Sequence, residues 1–136
     1  MIKTAAIALL AALFLASPAN AGAKENKQLV AQFIHDVFVQ KNPEAARKYL
    51  AADYIQHNPH VAPGADGFVS SLREWFAHAP SEMSDETLHL VAEGDLVVAH
   101  QRITYTAKDG TRKQAVGFDL FRVSKGRIVE HWDSDG

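Results

Sequence analysis

Once past its first two dozen residues, this chain changes hydrophobic period a single time, and that limits it to one broad architecture. Over residues 26–40, Leu29, Val30, Phe33, Ile34, Val37 and Phe38 recur at helical spacing, while Gln32, His35 and Asp36 fall off the stripe. Asn42-Pro43 predicts an N-cap followed by proline at the first helical position, opening a short second helix over residues 43–50 that buries Ala46, Tyr49 and Leu50. Residues 51–63 read as a loop. Residues 64–78 restart the helical period with Phe68, Val69, Leu72, Trp75 and Phe76, and Pro80 closes it. From Asp85 onward four strand patterns follow, separated by Glu93-Gly94-Asp95, Lys108-Asp109-Gly110 and Ser124-Lys125-Gly126. Helices first and a meander afterwards predict an α+β fold, with three N-terminal helices packed on one face of a four-stranded antiparallel sheet.

The N-terminus stands apart from this pattern. Lys3 precedes an apolar run over residues 5–16, and Ala19-Asn20-Ala21 has the small-x-small form of a cleavage site. Ser17-Pro18 stops the run well short of the ~20 apolar residues that span a membrane. The expectation is a signal peptide over residues 1–21, cut after Ala21, and a single domain over residues 22–136. The mature chain is then periplasmic or secreted, with no membrane association after cleavage. The sequence has no cysteine, so neither a disulfide nor a thiolate nucleophile is available. Fourteen basic residues against sixteen acidic ones give a net charge of −2, and the basic residues form no stripe, which argues against a nucleic-acid partner.

The candidate chemistry lies in the sheet. If Asp109-Gly110 are the two central residues of a tight hairpin, Lys108 pairs with Thr111 and His100 falls directly opposite Asp119. Cross-strand neighbours have Cβ atoms about 4.5 to 5.5 Å apart, so an imidazole and a carboxylate would hydrogen-bond there. Alternation without bulges places Val98, His100, Arg102, Asp119, Phe121 and Trp132 on one face, and Val97, Ala99, Gln101, Phe118, Arg122 and His131 on the other. Both faces are apolar at their centres, and helices cover only one, which predicts a homodimer through the sheet. Asp119 is the leading catalytic candidate, a desolvated carboxylate suited to act as a base. His100 would orient it or donate a hydrogen bond to an enolate oxygen, and His57 would reach over the pocket from its loop. The spacings His57/His60 and His131/Asp133 raise a metal site, but no metal is expected: Asn58-Pro59 breaks any helix that would align the first pair, and His131 is assigned to the face away from Asp119.

The order of helix, helix, Tyr54-Ile55-Gln56-His57-Asn58-Pro59, helix, then Ala92-Glu93-Gly94-Asp95-Leu96-Val97-Val98, Asp119-Leu120-Phe121-Arg122 and Gly126-Arg127-Ile128-Val129-Glu130-His131-Trp132-Asp133 resembles the SnoaL-like polyketide cyclase branch of the NTF2-like superfamily. The resemblance implies a curved sheet wrapped by helices into a cone with an apolar pocket, commonly dimeric. It implies acid–base catalysis of an intramolecular aldol closure by a pocket aspartate, with neither metal nor cofactor. Asp119 occupies the matching position, with His100 and His57 as its pocket neighbours and Tyr54, Trp132, Phe121, Arg102 and Val98 as substrate-contacting residues. The superfamily also includes isomerases, dehydratases, epoxide hydrolases and domains without known activity. The expected function is therefore that of an exported pocket enzyme acting on a small apolar carbonyl compound by aldol cyclisation, isomerisation or elimination. The competing expectation is a non-catalytic periplasmic domain that binds a small apolar molecule.

Overall fold

The structure, a computed structural model, describes residues 18–80 and 82–134. Residues 1–17, which carry most of the expected signal peptide, lie outside the described residues. Helix α1 spans Pro18–Ile34 and runs on into a π-helical turn, His35–Val39. Its stripe buries Val30, Phe33, Ile34 and Val37, as the period predicts. The wider turn is closed by the Gln40 and Asn42 amides, which donate to the His35 and Val37 carbonyls at 2.9 and 3.0 Å. Proline at its start and an Asn42 side chain that makes no capping bond leave the second helix as a 3-10 segment, Pro43–Lys48. Helix α2, Gly64–His78, buries Phe68, Val69 and Leu72.

The sheet has five strands, not the expected four. Strand β1, Leu50–Gln56, forms where the sequence reads as a loop; β2 is Ser84–Glu93, β3 Leu96–Thr106, β4 Arg112–Ser124 and β5 Arg127–Trp132. The last four make the predicted meander, and β1 adds to its far side in the order β1-β5-β4-β3-β2, parallel to β5. Its Ala51-Ala52-Asp53 centre has poor strand propensity, so its existence depends on a partner about 75 residues away in sequence.

Two irregularities decide which side chains face the helices. The β3–β4 connection is one residue longer than a two-residue hairpin: Ala107 N–H donates to Thr111 O and Gly110 N–H to Ala107 O, both at 2.9 Å, and Thr106 pairs with Arg112. Gly110 alone takes a positive φ (81°), while the Asp109 carboxylate accepts the Thr111 amide and hydroxyl. This resembles a type I turn closed by a left-handed glycine rather than the two-residue form. The register therefore moves by one, so that His100 pairs with Phe118 and Ala99 with Asp119. A one-residue slip exchanges the two faces. The second irregularity is a bulge in β5 at Val129: Val123 pairs with Ile128 but Arg122 with Glu130. The extra residue brings His131 to the same face as Ile128, and both are buried.

The helices cover the face that carries Val97, Ala99, Phe121, Val123 and Ile128. Phe33 is the hub of this core, its ring 5.7 Å from Phe121, 5.8 Å from Tyr49 and 6.0 Å from Phe68, mostly edge-on. The opposite face leaves Val91, Val98, Val116 and Phe118 exposed.

Candidate active site

Between the sheet, α2 and the π-helical turn lies a cavity of about 470 Å³. Its wall on the helix side is mainly apolar, from Phe38, Phe68, Leu72 and Trp75 with Ser71 among them, and the loop before α2 adds Val61, Asn58 and His60. The sheet side is different: each strand contributes one polar side chain, Gln56 from β1, His131 from β5, Asp119 from β4, Gln101 from β3 and Asp85 from β2. The pairings Gln56↔His131, Phe121↔His131, Gln101↔Gly117 and Thr87↔Gln101 place these five as direct or diagonal neighbours on one face.

The hydrogen bonds along this row have a fixed direction. The Asn58 amide donates to Gln56 Oε1 at 2.9 Å, so that atom is the carbonyl oxygen, and Gln56 Nε2 donates to Tyr54 Oη at 2.9 Å. The same Oε1 lies 3.0 Å from His131 Nδ1, which must therefore carry a proton. His131 Nε2 lies 2.8 Å from Asp119 Oδ1. Either Nε2 is protonated and faces a carboxylate, or the proton sits on Asp119; the pair shares one movable proton. Gln101 Nε2 donates to the other carboxylate oxygen, Oδ2, at 2.6 Å. Burial first, and the Asp119 charge second, push the Asp85 carboxyl up to about 6. Burial, then the charges of Asp119 and Asp133, raise the Tyr54 phenol above its ordinary value.

Of the residues singled out from sequence, Asp119, Tyr54 and Phe121 sit on the cavity side, Phe121 with its ring 4.9 Å from His131. His100 does not meet Asp119. It lies on the outer face, stacked 4.5 Å from Phe118 and with its Nδ1 3.1 Å from that of His89. Val98 and Arg102 share that face, Arg102 paired with Glu86. Trp132 also points outward, stacked 4.8 Å from His57, whose Nε2 lies 2.8 Å from Glu130. Arg122 does face away from Asp119, as alternation predicts, towards Asp95 and Glu130. What sequence reasoning missed were Gln56, Gln101, Asp85 and His131. The available signal was polar residues inside otherwise apolar strands, which is costly to bury without partners.

His131 thus faces Asp119, contrary to expectation, and among the described residues Asp119, His131 and Asp133 bring ligand atoms within 4.8 Å of one another. An oxygen–nitrogen set of this kind can hold a divalent cation, provided the cation displaces the shared proton.

A twisted α+β cone with helices on one face and a polar row at the floor of its cavity is an NTF2-like fold. More narrowly, the chain belongs to the SnoaL-like domain family, whose model matches residues 30–131. Among solved structures it is similar to a protein of Acidithiobacillus ferrooxidans assigned as a polyketide cyclase, with 24% identity, 80% of this chain and 86% of that one covered, and a TM-score of 0.69. A protein of Jannaschia sp. CCS1 assigned as a SnoaL-like polyketide cyclase gives 17% identity, 87% and 89% coverage, and 0.68. AclR of Streptomyces galilaeus, assigned as a hydroxylase, gives 19% identity, 82% and 78% coverage, and 0.68. No curated protein matches the chain.

Proposed function

We propose that this is an exported acid–base enzyme that removes a proton from the carbon next to the carbonyl of a small apolar substrate. The observation that carries the reading is the Asp119–His131 pair, 2.8 Å apart, at the polar floor of a cavity roofed by Phe38, Phe68, Leu72 and Trp75. A free lone pair of the Asp119 carboxylate takes the proton, the C–H electrons become the enolate, and His131 holds the charge on Asp119 in place. Asn58 donates one Nδ2 hydrogen to Asp133 at 2.7 Å and has a second for the enolate oxygen. Aldol closure, isomerisation or elimination can follow from that common intermediate. The family supports carbonyl chemistry of this kind, and the leader-like N-terminus supports export.

Proton–deuterium exchange followed by NMR in D₂O, over a panel of small ketones and β-keto esters, tests the reading. Exchange by the wild type should fall about 10²- to 10⁴-fold in Asp119→Asn and at least about 10²-fold in His131→Gln, which cannot carry the mobile proton. A second reading, a binding domain without turnover, is favoured by the two hydrogen bonds that already engage both oxygens of Asp119. It predicts apolar ligands that bind with no exchange above buffer.

A further inference from the structure

The hydrogen-bond row has a break at its β2 end. Gln101 is 8% exposed, and with its Nε2 committed to Asp119 its Oε1 points the other way, buried and without a partner among the described residues. Asp85 Oδ1 is likewise buried and unpartnered. Two buried acceptors without donors are costly, because each has given up its hydration for nothing in return. The register makes them neighbours: Asp85 pairs with Ile103, two residues along β3 from Gln101 and on the same face, which is a diagonal contact.

We propose that Asp85 is held as the neutral carboxylic acid and donates its proton from Oδ1 to Gln101 Oε1, locking the Gln101 amide so that Nε2 stays on Asp119. Asp85 is thus a positioning residue for the base assigned above, and the inference rests on that assignment only for its catalytic consequence. With the Gln101 amide oriented so that Nε2 donates to Asp119, one proton on Asp85 satisfies both orphaned oxygens, because an ionised Asp85 and the amide oxygen would both be acceptors. The surroundings agree. The other ionisable groups lining the cavity are Asp119 on β4, His131 on β5, and Asp133 and His60 in the flanking loops, while the lining from α2 and the π-helical turn is uncharged. No lysine or arginine lines the cavity to favour an ionised Asp85. The row then reads in one sense from β2 to β4, acid to amide to carboxylate. Ionisation of Asp85 would repel Gln101 Oε1, release the amide to flip, and turn an oxygen towards Asp119.

Side-chain carbon NMR of the wild type, in which Asp carboxyl shifts are followed from pH 3 to 9, gives the first arm. Asp85 should titrate at about 6 or above; a midpoint near 4 overturns the proposal. The second arm follows the Gln101 side-chain amide protons, shifted downfield by the Asp119 carboxylate. That shift should collapse in wild type as Asp85 ionises, collapse at all pH values in Asp85→Leu, and persist without pH dependence in Asp85→Asn, whose own amide hydrogen replaces the acid proton. An amide signal that is the same in all three proteins overturns it. Exchange kinetics are a separate readout. If Asp119→Asn leaves exchange unchanged but the Asp85–Gln101 signals behave as stated, the carbonyl chemistry fails and the lock stands.

Discussion

His131 shows how much one side chain can depend on its neighbours for its chemistry. Its protonation at Nδ1 follows from Gln56, whose own orientation follows from the Asn58 amide, so the loop after β1 determines what Nε2 can do for Asp119. Asp85 gives a pH dependence at the same scale. Its folded value of about 6 lies above the ~4 of an unfolded aspartate, so its contribution to stability is full below about pH 4 and is lost as the pH rises through about 6. Urea midpoints measured from pH 4 to 8 should show Asp85→Asn gaining on the wild type across that interval, with little difference at pH 4. A wild-type advantage above pH 6 would contradict the sign.

Among the elements, the loop between β1 and α2 is held by a close approach that only glycine permits. A Cβ on Gly67 would stand 2.6 Å from the Ala62 carbonyl carbon and oxygen, and the Ala62 amide also donates to Ser71 Oγ at 3.0 Å. Gly67→Ala, although good for helix propensity, should therefore displace the segment that carries Asn58 and His60. Its expected signature is a thermal midpoint several degrees lower and weaker ligand binding, as for other overpacked sites costing about 1–3 kcal/mol. The same scale explains what the sequence made legible. The three main apolar stripes and three hairpin turns were visible because each is local. The β3–β4 turn was misjudged by a single residue, since Asp109 satisfies its carboxylate on Thr111 instead of adopting a positive φ, and that residue moved His100, Val98 and Arg102 to the outer face. The Val129 bulge and the parallel docking of β1 are set by tertiary packing, and alternation along one strand carries no sign of either.

At the scale of the whole molecule, the outer sheet face is left apolar by the helices. Val116 and Phe118 are 60% and 57% exposed beside Val91 and Val98, a patch larger in character than scattered surface residues. We expect two copies to pair there, and sedimentation of the wild type and Phe118→Asp checks it: a dimer that becomes a monomer while the fold is kept is the expected result, and a monomeric wild type rules the pairing out. The polar row has a different kind of consequence. Because its five members come one from each strand, and the β1–β5 contact joins segments some 75 residues apart, no single hairpin contains the whole row. The Asp119–His131 pair itself lies within the β4–β5 hairpin, so a chain that has lost β1 keeps the carboxylate and the imidazole but loses Gln56, the acceptor that fixes the proton on His131 Nδ1.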